Sequence, residues 1–425
     1  MQTELRNQDY INALKRELIP ALGCTEPIAI AYVAAKARET LGVFPDHMEM
    51  LCSGNIIKNV KGVKVPNACG MRGVPIAATL GAIGGDASKE LEVLQSVTPE
   101  HVEQAKQLLE NHFFSYQLAE GVANLYISAT AHYQDHFARV TVMNHHTCIT
   151  EIVKDDTLLY QRDPDSVSDE PDWKLWSIHE ILDFADHADL APVQSLLDQQ
   201  IEKNTAISNE GLSHPYGAEV GRTLLKSYGQ DIRTRAMAKA AAGSDARMGG
   251  CTLPVVINSG SGNQGMTVSL PVIEYARELG VPKEKLYRAL LVSNLLSIYQ
   301  KHYIGSLSAF CGAVTAACGS GAALTYLSGG DYSAICRTIT NTLANVGGIL
   351  CDGAKSSCAA KIASAVDAAI LAHHMSMNGD SFQPGEGIVL EDTENTIKNV
   401  GYVGRVGMKD TDVEILHLMI GSVTP

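Results

Sequence analysis

Residues 124–154 read NLYISATAHYQDHFARVTVMNHHTCITEIVK, and this stretch decides the fold class. Apolar and polar residues alternate, with many aromatic and β-branched side chains, the period-two pattern of strands buried on one face. With SYQLAE (115–120) ahead of it, the segment 112–160 predicts three to five antiparallel strands. Upstream, the spacing predicts helices over 8–19, 28–40 (ending near Gly42), 73–84 and 98–111, the last opening on Thr98-Pro99-Glu100. Residues 47–65 read as a strand, a tight turn at Gly54-Asn55 and a second strand. Downstream, QRDPDSVSDEPDWKL (161–175) holds two prolines and many acids and reads as an exposed linker. Beyond it, WSIHEILDFADHA (176–188) and LAPVQSLLDQQIEKN (190–204) suit amphipathic helices, followed by Gly/Ala/Ser-rich helices to the end. The predicted fold class is α+β. An N-terminal α+β domain, 1–170, carries Cys24 and the strands; a large all-helical domain, 171–425, follows. No repeat of solenoid period is present.

The chain has 425 residues, 45% apolar and 19% charged, a globular composition. Its 33 Lys plus Arg against 47 Asp plus Glu give a formal charge of -14. That balance argues against a nucleic-acid partner and against an anionic membrane surface. Two stretches, 248–273 and 302–330, carry no charged residue and are long enough to span a bilayer. They are rich in Ala, Gly and Ser rather than Leu, Ile and Phe, which suits closely packed buried helices. The N-terminus, MQTELRNQDYINALKRELIP, lacks the apolar core of a signal peptide, so a cytoplasmic location is expected. The ten cysteines are then core residues, catalysts or metal ligands rather than a disulfide framework.

Cys351 and Cys358 are six residues apart in CDGAKSSC, and Cys311 opens CGAVTAACGSGAA. Three thiolates can hold three irons of a [4Fe–4S] cluster and leave the fourth open as a Lewis acid. They can equally be three buried thiols among small-residue helices, since this spacing is no standard metal signature. Gly353 suggests a turn that aims a thiolate; Cys318 reads as mid-helix packing. Cys24, in LGCTEP before a helix, gains a lowered pKa from the helix dipole, making it a base, a nucleophile, a fourth ligand or simply a small helix-entry residue. Glu26 is an acid or base, or a helix-dipole partner. SDARMGG (244–250) and NSGSGNQG (258–265) are polar and glycine-rich where core helices would be apolar. Ser259, Ser261, Asn263 and Gln264 supply donors for a carboxylate, and Arg247 either clamps that carboxylate or pairs with Asp245. No Walker A or dinucleotide fingerprint appears. His145, His146, His373 and His374 lack the spacing of a helical zinc site and read as ordinary histidines, and Lys355 carries no signature of a pyridoxal-phosphate lysine.

ALGCTEP (21–27), GMRGVPIAATLGAIGG (70–85), SDARMGG, NSGSGNQG and CDGAKSSC together resemble the L-cysteine desulfidase family. The resemblance runs from about residue 10 to about residue 420, and the helical half is also similar to the α-chain domain of iron–sulfur L-serine dehydratases. It implies a [4Fe–4S] cluster on Cys311, Cys351 and Cys358, with Cys24 as the proton-accepting catalytic residue. It implies a pyridoxal-phosphate-independent lyase that eliminates sulfide from L-cysteine, leaving pyruvate and ammonia. Arg247 with Ser259, Ser261, Asn263 and Gln264 would then hold the substrate carboxylate. The partner is a small amino acid, and the helical half admits a homodimer without requiring one. Two rivals remain: the same chemistry on L-serine, and a non-catalytic iron–sulfur or scaffold protein. The cluster reading demands that Cys311, Cys351 and Cys358 meet in one pocket.

Overall fold

Cys24 takes an extended conformation (φ -81°, ψ 133°) and starts helix α2, which Gly42 ends in a left-handed turn (φ 90°) where a Cβ would be strained. The computed structural model describes residues 2–163, 170–305 and 307–421. Helix α1 (Gln2–Glu17) and the short strand β1 (Pro20–Leu22) precede α2 (Thr25–Leu41). Strand β2 (His47–Ser53) runs directly into α3 (Gly54–Lys61), followed by α4 (Val74–Gly84) and α5 (Pro99–Glu110). Then come β3 (Phe114–Ala119), β4 (Tyr126–Tyr133), β5 (His136–Met143), β6 (Ile149–Lys154) and β7 (Thr157–Gln161). One sheet has the order β3-β2-β4-β5-β6-β7. Helix α2 packs on β4 and β5, burying Ala129, Ala131, Ala138 and Val140.

Two expectations need correction. The second half of the 47–65 hairpin is helix α3, not a strand. Ile56, Ile57 and Val60 fall on one helical face and are buried there, which a strand could not achieve with the same residues. Its place beside β2 is taken by β3, which pairs parallel to it (Met48 opposite Phe114), so the sheet is mixed rather than wholly antiparallel. The expected linker is only partly free as well. Residues 164–169 lie outside the described residues, but Trp173 stacks on His302 with ring centroids 3.9 Å apart.

The helical part comprises α6 (Ile178–His187), α7 (Ala191–Ser213), α8 (Val220–Tyr228) and α9 (Ile232–Met248). After strand β8 (Pro254–Val256) it continues through α10 (Gly262–Glu278), α11 (Lys283–Ile304), α12 (Gly312–Leu327), α13 (Tyr332–Val346), α14 (Cys358–Met377), α15 (Thr393–Tyr402) and α16 (Lys409–Ile420). The two charge-free stretches hold the first twelve residues of α10 and all of α12, both helices being largely buried. A Cβ on Gly319 of α12 would lie 2.5 Å from the Ser293 carbonyl of α11, so only glycine permits that approach. Cys318 is a buried packing residue in the same helix. Among the described residues no helix is long and apolar enough to cross a membrane. The pairing that positions the site is β1 with β8, antiparallel, Pro20 opposite Val256 and Leu22 opposite Pro254. It sets LGCTEP against the 258–265 loop, residues more than 200 positions apart.

Candidate active site

A cavity of about 780 Å3 is lined by residues from both parts of the chain. Five helices begin at its wall: α2 with Cys24 and Glu26, α3 with Asn55, α10 with Ser261 and Asn263, α12 with Cys311 and Gly312, and α14 with Cys358. Each start presents unpaired backbone N–H groups and the positive end of a helix dipole, which favours anions. Arg247, Lys58 and Lys301 add cationic side chains. A strongly acidic chain thus encloses a cavity of the opposite sign.

One wall is polar and hydrogen-bonded. The Glu26 carboxylate accepts from the Cys24 thiol at 3.1 Å, the Thr25 hydroxyl at 3.1 Å and Asn59 Nδ2 at 3.0 Å. Burial acts to raise the Glu26 pKa, but His146, the Cys24 hydrogen bond and Arg247 outweigh it and hold the carboxyl below its ordinary value. Cys24 moves the other way: burial and the Glu26 charge keep it protonated well above the usual thiol range. The lowered pKa expected from the helix dipole is therefore overturned, because desolvation and a carboxylate at contact distance exceed a dipole contribution of about 0.3–1 kcal/mol. Cys24 also belongs to a small buried cluster with Val63 and Met248, against which Cys358 packs.

Arg247 is buried on α9, and its Nε donates to the Gly23 carbonyl at 2.8 Å. Asp245 is not its partner; that carboxylate accepts from the Gly221 backbone N–H at 3.0 Å. Among the described residues no carboxylate pairs with Arg247, so its guanidinium is available to the cavity. Gly262 is required beside it, since a Cβ there would lie 2.5 Å from Arg247 Nε. Ser259, Ser261, Asn263 and Gln264 all line the cavity. Ser259 donates to its neighbour Asn258 at 2.9 Å, whereas Asn263 Oδ1 and Gln264 Oε1 are buried without a partner. The Thr25 hydroxyl ties this loop to α2 through the Gly260 carbonyl at 3.0 Å.

The facing wall carries three cysteines. A short antiparallel bridge, Phe310 opposite Leu350, brings two of them together: Cys311 N–H donates to the Ile349 carbonyl at 3.0 Å and Cys351 N–H to the Ala309 carbonyl at 2.6 Å. Gly353 then turns the chain with φ 90°, and Cys358 opens α14. All three thiols are free and line the cavity. Burial, then the charges of Cys351 and Cys358, push Cys311 up to about 12; burial and Cys351 also raise Cys358. Three such groups ionise together only with positive charge among them. Lys301, buried and brought down to about 8 by desolvation against the pull of Cys351 and Cys311, supplies some of it. Among the described residues no three His, Cys, Asp or Glu side chains converge tightly enough for a single metal ion. A polynuclear iron group takes each thiolate on a different iron, so the donor set suits it without that convergence.

Every site residue expected from the sequence thus lines one cavity. Sequence reasoning passed over His146, Lys301, Asn55, Lys58 and Asn59, which line it too. Lys301 had a faint signal, as the last charge before the uncharged stretch 302–330. His146 had none, because nothing in a His-His pair says which loop its strands will face. The other histidine pair is structural: His373 is buried and bonded to Thr325 at 3.0 Å.

An α+β frame holding a carboxylate–thiol pair, an arginine without a carboxylate partner and three thiols around one cavity defines an enzyme-like architecture. Residues 88–417 match the family described as the serine dehydratase alpha chain, a span that takes in β3–β7 as well as the helical part. The chain is 52% identical to a UPF0597 protein of Desulfitobacterium hafniense over 415 residues, 97% of this chain and 96% of that one. It is 52% identical to a UPF0597 protein of Lachnoclostridium phytofermentans over 411 residues, 96% and 99% of the two chains. It is 46% identical to one of Finegoldia magna over 417 residues, 97% and 99%. The chain belongs to the serine dehydratase alpha chain family.

Proposed function

We propose that the protein is a pyridoxal-phosphate-independent carbon–sulfur lyase, an L-cysteine desulfidase of the cytoplasm, that eliminates sulfide from L-cysteine to leave pyruvate and ammonia. The observation that carries the reading is the meeting of Cys311, Cys351 and Cys358 with Arg247, Cys24 and Glu26 around one cavity. In this reading the three cysteines hold a [4Fe–4S] cluster, which when bound supplies an open iron as Lewis acid toward the leaving sulfur. Arg247 takes the substrate carboxylate, its fork fixed by the bond to Gly23. The unpaired amide oxygens of Asn263 and Gln264 are acceptors and suit the substrate ammonium, while Ser259 and Ser261 shape the loop. Cys24 is the proton-handling residue, set in the small buried cluster against which Cys358 packs. Its own thiol donates to the ionised Glu26 carboxylate, which holds that proton in place.

A second reading, L-serine dehydration by the same residues, is favoured by the family description. One experiment separates these and tests both: anaerobic purification with iron and acid-labile sulfide analysis, then sulfide release from L-cysteine against pyruvate release from L-serine. About four irons per chain, with faster turnover of cysteine, supports the desulfidase. Faster turnover of serine selects the dehydratase, and no iron after reconstitution removes both.

A further inference from the structure

His373 is buried and satisfied by Thr325, whereas His146 is half-buried and its Nε2, itself buried, has no partner. His146 lies on the turn between β5 and β6, held by backbone bonds from His145 N–H to Met143 (2.7 Å) and from Cys148 N–H to His145 (3.1 Å). Its ring lies against the backbone of Gly260, where an added Cβ would be 3.3 Å from Cε1. It lines the cavity, and Nε2 is buried with no hydrogen-bond partner. No hydrogen bond from the described residues reaches either ring nitrogen. An unpaired buried polar atom costs roughly 1–3 kcal/mol, so a ring held this way is waiting for a ligand. The charged groups that face it are Glu26 from α2, Arg247 from α9 and its neighbour His145.

We propose that His146 is a catalytic residue, the acceptor of the substrate's Cα proton. The inference rests on the elimination reading above and deepens it. Arg247 fixes the carboxylate end of the substrate, and the carbon bearing that carboxylate is the one that loses hydrogen. His146 lines the cavity close to both Arg247 and Glu26, with its unpaired Nε2 there, so an acceptor stands by the carbon next to that carboxylate. The Cα–H bond breaks and its electron pair forms the Cα=Cβ bond. The Cβ–S bond breaks with its pair leaving on sulfur, and the proton rests on the His146 ring. The resulting imidazolium is stabilised by Glu26. Aminoacrylate then tautomerises and reacts with water to give pyruvate and ammonium. Burial lowers the imidazole pKa, so the ring stands neutral and able to accept at pH 7.

The test is His146→Gln and His146→Gly in the iron-loaded protein. The expected result is a fall in kcat on L-cysteine of about 10²–10⁴-fold with iron content and cysteine Kd unchanged. The primary isotope effect with Cα-deuterated L-cysteine should rise in His146→Gln, and imidazole should restore turnover to His146→Gly. A merely structural role would lower the active fraction and leave the isotope effect where it was. An unchanged isotope effect, or kcat within a few-fold of the parent, overturns the assignment. If the parent protein eliminates from neither cysteine nor serine, the elimination reading fails, and this proposal with it.

Discussion

The two walls of the cavity differ in how complete they are. On one, Glu26 holds Cys24, Thr25 and Asn59, and Arg247 holds Gly23, so most polar groups are satisfied within the chain. On the other, Cys311, Cys351 and Cys358 are free thiols beside the buried ammonium of Lys301, and neither the thiols nor the ammonium meets a charge that settles it. The polar wall is built by hydrogen bonds that form on folding. The cysteine wall is built by backbone pairing and helix starts, and its side chains wait for a partner. Under the proposed function, the contrast is between a preformed recognition wall and a reactive wall completed by a bound group, a division expected when a cofactor carries the hard chemistry.

Substitutions on the two walls should therefore fail differently. The largest effect is expected for Cys358→Ser, which should abolish iron retention and, with it, turnover, while the circular dichroism spectrum stays that of the parent. Full iron content in that variant would break the comparison outright. Arg247→Lys should leave iron content and visible spectrum unchanged and raise KM for cysteine about ten- to hundredfold. That is the loss of one charge-assisted bidentate contact of about 1.5–3 kcal/mol. An unaltered KM would remove Arg247 from the substrate site. The smallest effect lies away from both walls. His373 binds its proton at about 4 when folded, because burial and His374 disfavour the cation, against 6.5 for the free side chain. Between those values the unfolded chain binds more protons, so stability falls as pH drops from about 6.5 to about 4. His373→Gln should remove on the order of 1–2 kcal/mol of the stability lost between pH 7 and pH 5, measured by urea denaturation. It should leave KM and iron content alone, which separates a packing histidine from His146.

The helices α1, α2 and α4–α7 and the strands β3–β6 were readable because each has a consistent period or a clear end, Gly42 and Thr98-Pro99 among them. Helix α3 was misread because Ile56, Ile57 and Val60 are few and β-branched, so propensity pointed to a strand. Its true partners, Asp412 on α16 for Lys58 and Leu416 for the close approach at Gly54, lie more than 350 residues away. The polarity of Cys24 was misjudged for a similar reason. The helix start was visible in LGCTEP, but the orientation of the Glu26 carboxylate toward the sulfur was not.

By itself the sequence determined the α+β class, the charge, the helix start at Cys24, and the motifs that resemble a known family. These are local properties, carried by residue type and by spacing within a dozen positions. Only the tertiary structure decided that five helix N-termini converge, that Arg247 turns from Asp245 to Gly23, and that His146 and Lys301 face the same cavity as the cysteines. The physical reason is the β1–β8 pairing and the packing of α2, α9 and α12 around it. Those contacts depend on shape and burial across the whole chain, and no short window of residues contains them.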